Sequence, residues 1–248
     1  MRRFLFVFDT TGSMNSWIRE VRNNVALIAG RVLDEDEDAE VGFLAYGDYC
    51  DRTNMIQDST NPSFSYTGQV PGEAETADLS FFYDSSSIER WLAANRSTSG
   101  GDHPECVEYV LRYLRSYHVP HAKAAGDELI VMWVGDAPPH ALSNGPYGNN
   151  PHGLNWQTEL AAVKDDATFY MALCGPDPAA RATWTTMATD SGGVMIDIRN
   201  INNLATTMIA VAKAAGGGLD EYADELREGG ADAEMEEILV DLGATCHD

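Results

Sequence analysis

Asp9, Thr11 and Ser13 stand at alternate positions of one short stretch, and each side chain ends in oxygen. A carboxylate and two hydroxyls at that spacing suit a hard divalent cation, which takes oxygen donors. The stretch leaves Phe4-Leu-Phe-Val-Phe8, an apolar run that reads as a buried strand, and open α/β sheets bind ligands beyond the carboxyl ends of such strands. Two further carboxylates lie in comparable turns. Asp136 follows the most apolar run of the chain, Leu129-Ile-Val-Met-Trp-Val134, and precedes Pro138-Pro139; Asp102 follows Gly100-Gly101 and precedes His103-Pro104-Glu105. Each also has a plainer explanation: a cap for the helix starting near Asn15, an N-cap at Asp102, a strand-ending turn at Asp136. In a parallel sheet, however, turns after neighbouring strands converge on one edge. Three buried carboxylates meeting there repel one another and are costly to desolvate, and a shared divalent ion relieves both problems.

The elements needed to position these turns are visible as hydrophobic patterns. Trp17, Val21, Val25, Ile28 and Val32 recur every three or four residues and predict a helix, closed by the acidic run 34–38. Val41 to Tyr46 predicts a second strand, with an edge strand around Asn54-Met-Ile56. Helices are expected near Ser87–Asn95, Pro104–Tyr117 with Pro104 in its first turn, Trp156–Asp165 and Asn202–Ala215; strands are expected at 129–134, 168–173 and 193–196. This alternation defines an α/β protein: a doubly wound, mostly parallel central sheet with helices on both faces. Residues 1–216 read as one domain with a surface insertion at about 57–80, rich in Ser, Thr, Pro, Gly and Asp. Residues 217–248 read as an acidic, helical C-terminal tail, either packed on the domain or serving as a docking segment; ten acidic residues and one Arg fall between 219 and 242.

Four stretches in order, Phe4 to Met14, Phe43 to Asp48, Gly100 to Glu105 and Val134 to His140, make residues 3 to about 215 resemble von Willebrand factor type A (VWA) domains. The likeness is greatest to the subgroup found beside alpha-kinases and in bacterial multidomain proteins. It implies a Rossmann-like fold and a metal-ion-dependent adhesion site, in which an Asp-x-Ser-x-Ser turn, a Thr from a second loop and an Asp from a third hold Mg²⁺, or Mn²⁺ or Ca²⁺. Asp9, Thr11 and Ser13 match the first turn, with Thr11 in place of a Ser, and Asp136 matches the third loop. Asp102 falls where the Thr usually sits, a departure that makes the site more anionic; Thr98 is the alternative donor. The resemblance further implies a protein partner whose acidic residue completes the ion's coordination, with loops 48–80 and 137–156 as the specificity surface.

Composition narrows the partners. With 39 acidic against 16 basic residues the formal charge is −23, so nucleic acid is not expected as a direct partner; the balance suits a highly soluble protein, a high-salt cytoplasm, or an acidic surface or tail that meets a basic partner. Cys50, Cys106, Cys174 and Cys246 are too dispersed for a zinc ribbon or disulfide framework and read as reduced thiols. Neither a signal peptide nor a membrane span is apparent, so the expectation is a cytoplasmic protein. Asp-Thr-Thr-Gly-Ser is close to an aspartic protease motif, but those folds are all β. An aspartyl-phosphate phosphatase lacks its second Asp, and no phosphate-binding glycine loop is present. His103 and His140, each beside a candidate ligand, read as rim residues, and Trp133 as core. The chain is expected not to be an enzyme but a metal-dependent protein-binding module. The alternatives are a structural subunit with a vacant metal site and a metal-dependent hydrolase.

Overall fold

A computed structural model describes residues 1–34, 38–73, 78–82, 84–94, 98–101, 103–142 and 150–245. Six strands form one sheet: β1 (Arg2–Asp9), β2 (Ala39–Tyr46), β3 (Ile56–Asp58), β4 (Glu128–Gly135), β5 (Thr168–Leu173) and β6 (Met195–Asp197), in the order β3-β2-β1-β4-β5-β6. All pairings are parallel except that of β3 with β2. The fold class expected from the helix–strand alternation is the one observed. Chain order reverses between β1 and β4, so the crevice at their carboxyl ends is the topological switch point of the sheet.

Successive strand residues point to opposite faces, and β1 and β4 divide accordingly. Phe4, Phe6, Phe8, Ile130, Met132 and Val134 pack into one core layer; Leu5, Val7, Leu129, Val131 and Trp133 pack into the other. The first layer is covered by α1 (Asn15–Asp34), α2 (Ser85–Ala94) and α7 (Leu204–Gly216). The second is covered by α3 (Val107–Tyr113), α4 (Val119–Ala125), α5 (Trp156–Ala161) and α6 (Pro178–Asp190). Both faces are therefore dry, which is why these strands are continuously apolar rather than alternating. Trp133 is wholly buried, and its indole N–H donates to the Tyr46 hydroxyl at 3.0 Å.

Three segments differ from the sequence expectation. The helix expected from Pro104 begins only at Val107, because the Glu105 N–H donates to the Pro138 carbonyl (3.0 Å) and Glu105 forms a one-residue parallel bridge with Pro139. It then passes through a π-helical turn, Leu114–His118, into α4. Pro120, which has no N–H for the carbonyl four residues back, accounts for that reset. The stretch 57–80 is also not all surface: Asp58, Ser59, Thr60, Asn61 and Tyr66 are buried. Its early polar residues are internal because they bond to one another and to Tyr113 and His118.

The acidic tail forms α8 (Leu219–Glu228) and α9 (Ala233–Asp241), whose Leu219, Tyr222, Met235, Ile238 and Leu239 join the first core layer. Asp232 caps α9 through the Met235 N–H and also accepts from Asn203, tying the tail to the start of α7. Cys50, Cys106 and Cys174 are free thiols; Cys246 lies outside the described residues, as does most of the run 34–38. Among the described residues no helix is long and apolar enough to cross a membrane.

Candidate metal centre

Asp9 is the last residue of β1 and has no exposed surface (0%). Its Oδ1 accepts the Thr11 backbone N–H at 2.8 Å and the Thr11 hydroxyl at 2.7 Å, so the Asp-x-Thr turn closes on itself. The Thr11 and Ser13 hydroxyls are 3.4 Å apart, and Ser13 in turn donates to Asp136 Oδ1 at 3.1 Å. Register explains this meeting. Phe8 pairs with Val134, which sets Asp9 beside Gly135 and delivers Asp136 one residue later. Gly135 has to be glycine, since a Cβ there would lie 3.1 Å from the Asp9 Cβ and 2.8 Å from the Trp184 ring. Four of the residues expected from sequence, Asp9, Thr11, Ser13 and Asp136, are thus one hydrogen-bonded cluster. Asp102 lies outside the described residues.

Thr98, the alternative donor, is turned elsewhere. Its hydroxyl meets that of Thr10 at 3.1 Å and its N–H donates to the Thr10 carbonyl at 2.9 Å, so it fastens the second loop to the end of β1. The rest of that loop hangs on two carboxylates: Ser99 and Gly100 donate backbone N–H groups to Asp51, and Gly101 to Asp48. The loop thereby forms one wall of an open cleft of about 390 Å³ lined by Thr11, Ser13, His103, Glu105 and Asp136 among others. No Lys or Arg is among the lining residues.

Glu105 is the site residue that sequence reasoning missed. It is 4% exposed and packs so closely against Gly100 that a Cβ there would sit 3.1 Å from Glu105 Oε1 and 3.3 Å from the Thr11 Cβ. The signal was present in Gly-Gly-Asp-His-Pro-Glu, but a helix starting at Pro104 would make Glu105 an ordinary first-turn acid. Of the two histidines, His103 is exposed at the cleft and 2.9 Å from Asp177. His140 is not a rim residue: it is buried, 3.3 Å from Asp48 and 3.2 Å from Glu108, because the Pro138-Pro139 segment folds back over α3. Those two carboxylates push His140 up to about 10 against the opposing effect of burial.

The electrostatics are unfavourable as they stand. Burial pushes Asp9 up to about 7, with the neighbouring Asp136 adding to the rise. Asp136 is raised too, chiefly by burial. Glu105 is pushed up to about 10 by burial and by the charges of Asp9 and Asp48. Asp9 Oδ2 and Glu105 Oε2 are buried without any hydrogen-bond partner. Among the described residues no three His, Cys, Asp or Glu side chains make a metal cluster by themselves. The donors here are instead carboxylates mixed with hydroxyls, all oxygen, as a Mg²⁺ or Ca²⁺ site requires. The chemistry of this donor set suits a cation: its carboxylates crowd one another, two of their oxygens are orphaned, and the adjoining cleft has no Lys or Arg in its lining.

Comparison with solved structures matches this architecture to a von Willebrand factor type A protein from Catenulispora acidiphila (TM-score 0.55, 12% identity, 87% of this chain and 43% of that one). The VWA domain of SpRpn10 (0.52, 7%, 84% and 94%) and the N-terminal domain of TFIIH p34 (0.58, 9%, 84% and 96%) match as well. The chain has the VWA fold. It spans less than half of the Catenulispora chain. No protein-family model and no curated protein matches it by sequence. At such identities the likeness shows the VWA fold and nothing finer, so the ligand set stands on its own geometry.

Proposed function

We propose that this chain is a protein-binding module that holds a divalent cation at Asp9, Thr11, Ser13 and Asp136 and engages an acidic residue of a partner protein at the cleft. Mg²⁺ is the first choice, with Mn²⁺ and Ca²⁺ as alternatives, and Asp102 remains in the ligand set on sequence grounds. Bound there, the ion supplies the positive charge that offsets the buried carboxylates and a coordination place for a guest carboxylate. The VWA fold supports an interaction module, and the acidic surface favours a partner with basic groups around that guest.

The observation that carries this reading is Asp9: a carboxylate with no exposed surface whose Oδ2 has no partner, bonded through Thr11 into a line of hydroxyls ending at Asp136. Evolving a buried anion without a counter-charge is costly, and the sheet edge collects oxygen donors around it. Isothermal titration of the wild-type protein with Mg²⁺, Mn²⁺ and Ca²⁺ in a non-chelating buffer tests the site. Saturable binding that Asp9→Ala abolishes is expected, and a partner captured by the wild type should be released by EDTA. A folded wild type that binds none of the three ions would leave a structural subunit as the better description.

A further inference from the structure

Asp48 and Glu108 are buried carboxylates with no Lys or Arg partner among the described residues, and His140 stands between them. Its Nε2 lies 3.3 Å from Asp48 Oδ1 and its Nδ1 3.2 Å from Glu108 Oε1, while its backbone N–H donates to Glu108 Oε2 at 3.1 Å. The two ring contacts are ion-pair contacts, with neither N–H well aligned for a hydrogen bond. A neutral imidazole would aim a lone pair at one of these anions, and only the charged ring presents a proton on both nitrogens. Although burial opposes it, the two carboxylates push His140 up to about 10; although burial opposes that as well, His140 holds Asp48 below its usual value.

The same carboxylates carry the cleft's wall. Asp48 Oδ2 accepts the Gly101 N–H at 3.1 Å, so closely that a Cβ on Gly101 would lie 2.8 Å from it. The Asp48 N–H donates to Asp51 at 2.9 Å, and Asp51 in turn accepts from Ser99 and Gly100. Glu108 accepts from the hydroxyl of Tyr49, the residue after Asp48, at 2.8 Å. Three segments therefore meet through one ring: the loop after β2 with the 98–101 loop hung on it, α3, and the loop that carries Asp136. We propose that His140 is a positioning residue, the shared counter-cation of Asp48 and Glu108 that fixes the 98–101 loop as the wall of the cleft. This goes beyond the cation reading above and is tested without any ion, so the two fail separately.

The test compares wild type with His140→Gln in EDTA. Gln keeps an amide donor but no charge, so two buried carboxylates lose their counter-cation and favour their protonated forms. The other groups facing the ring are Glu105, ahead of α3, and Tyr49, against which His152 also packs. In the variant, folding above the ordinary carboxylate range must take up protons, and stability falls as pH rises; the wild type keeps its imidazolium contribution complete below about pH 6.5. The stability gap between the two proteins should therefore widen from about pH 4.5 to 6.5. Amide hydrogen exchange at Ser99, Gly100 and Gly101 should quicken in the variant by about tenfold or more beyond any change in the core strands. A gap that stays constant with pH means that the ring only fills space, and unchanged relative protection of those three amides removes the positioning role; either result overturns the proposal. Nuclear magnetic resonance of the wild-type ring decides the matter even if the variant does not fold. His140 should stay charged at about pH 8, and a neutral ring at about pH 7 overturns the assignment.

Discussion

Asp58 and Asp9 sit at the ends of β3 and β1 in the same local turn, yet the chain surrounds them differently. In each, Oδ1 accepts the backbone N–H and the hydroxyl of a Thr two residues on: Thr60 at 2.8 and 2.8 Å, Thr11 at 2.8 and 2.7 Å. The second oxygen makes the difference. Asp58 Oδ2 takes His118 Nε2 at 2.8 Å and the Tyr113 hydroxyl at 3.0 Å, whereas Asp9 Oδ2 takes nothing. Although burial opposes it, His118 and Thr60 hold the Asp58 carboxyl below its usual value; burial pushes Asp9 up to about 7. One carboxylate is satisfied by the fold, and the other keeps an oxygen without a hydrogen-bond partner.

The comparison can be broken most decisively at Asp58. Asp58→Ala strands His118 in a dry site, and removing one partner of a buried pair costs about 3–5 kcal/mol. Urea unfolding should show a loss of that order, and a loss below about 1 kcal/mol would erase the distinction between the two turns.

The next effect is in pH. Asp9 prefers its proton in the folded state, so without divalent ions its contribution is complete below about pH 4 and is lost as pH rises through about 7. A rise from 3.8 to about 7 corresponds to roughly 4 kcal/mol at most. Asp58 has the opposite sign: its contribution is present above the ordinary carboxylate value and is lost as pH falls. Melting across pH 4–8 in EDTA should therefore give a downward slope in the wild type that Asp9→Asn makes shallower, the part owed to Glu105 and Asp136 remaining. Parallel slopes in the two proteins would show that Asp9 is not the strained group.

The smallest effect is expected where a carboxylate is in water. Glu225 pairs with Arg31 at 2.6 Å, but both are exposed, and such pairs contribute under about 1 kcal/mol. Arg31→Ala should shift the urea midpoint only slightly; a loss comparable to Asp58→Ala would mean that burial is not what separates these carboxylates.

Much of the fold can be read from local pattern. The buried strands, the 3.6-residue period of α1 and the alternation that builds a parallel sheet are all short-range signals, and so is the Asp9-x-Thr11-x-Ser13 turn. The meeting of Ser13 with Asp136 follows from strand register once β1 and β4 are neighbours. Glu105 and His140 escaped for one reason: the Pro138-Pro139 segment captures the residues before α3. That contact joins chain segments more than 30 residues apart, and no helical or strand period announces it. Polar composition likewise suggested a surface excursion after β3, because burial of Asp58 depends on His118, 60 residues away.

The amino-acid sequence by itself determined the two Asp-x-Thr turns, since a side-chain oxygen bonding its own backbone two residues on needs no distant partner. What each second oxygen meets was decided only by tertiary structure. The packing of α3 and its π-helical turn brings His118 and Tyr113 to one carboxylate, while the switch point of the sheet brings only further oxygens to the other. Identical local chemistry thus became a fully hydrogen-bonded carboxylate at one strand end and a cluster of oxygens with an unmet partner at the other, because solvation and hydrogen-bond partners are properties of the surroundings and not of the turn.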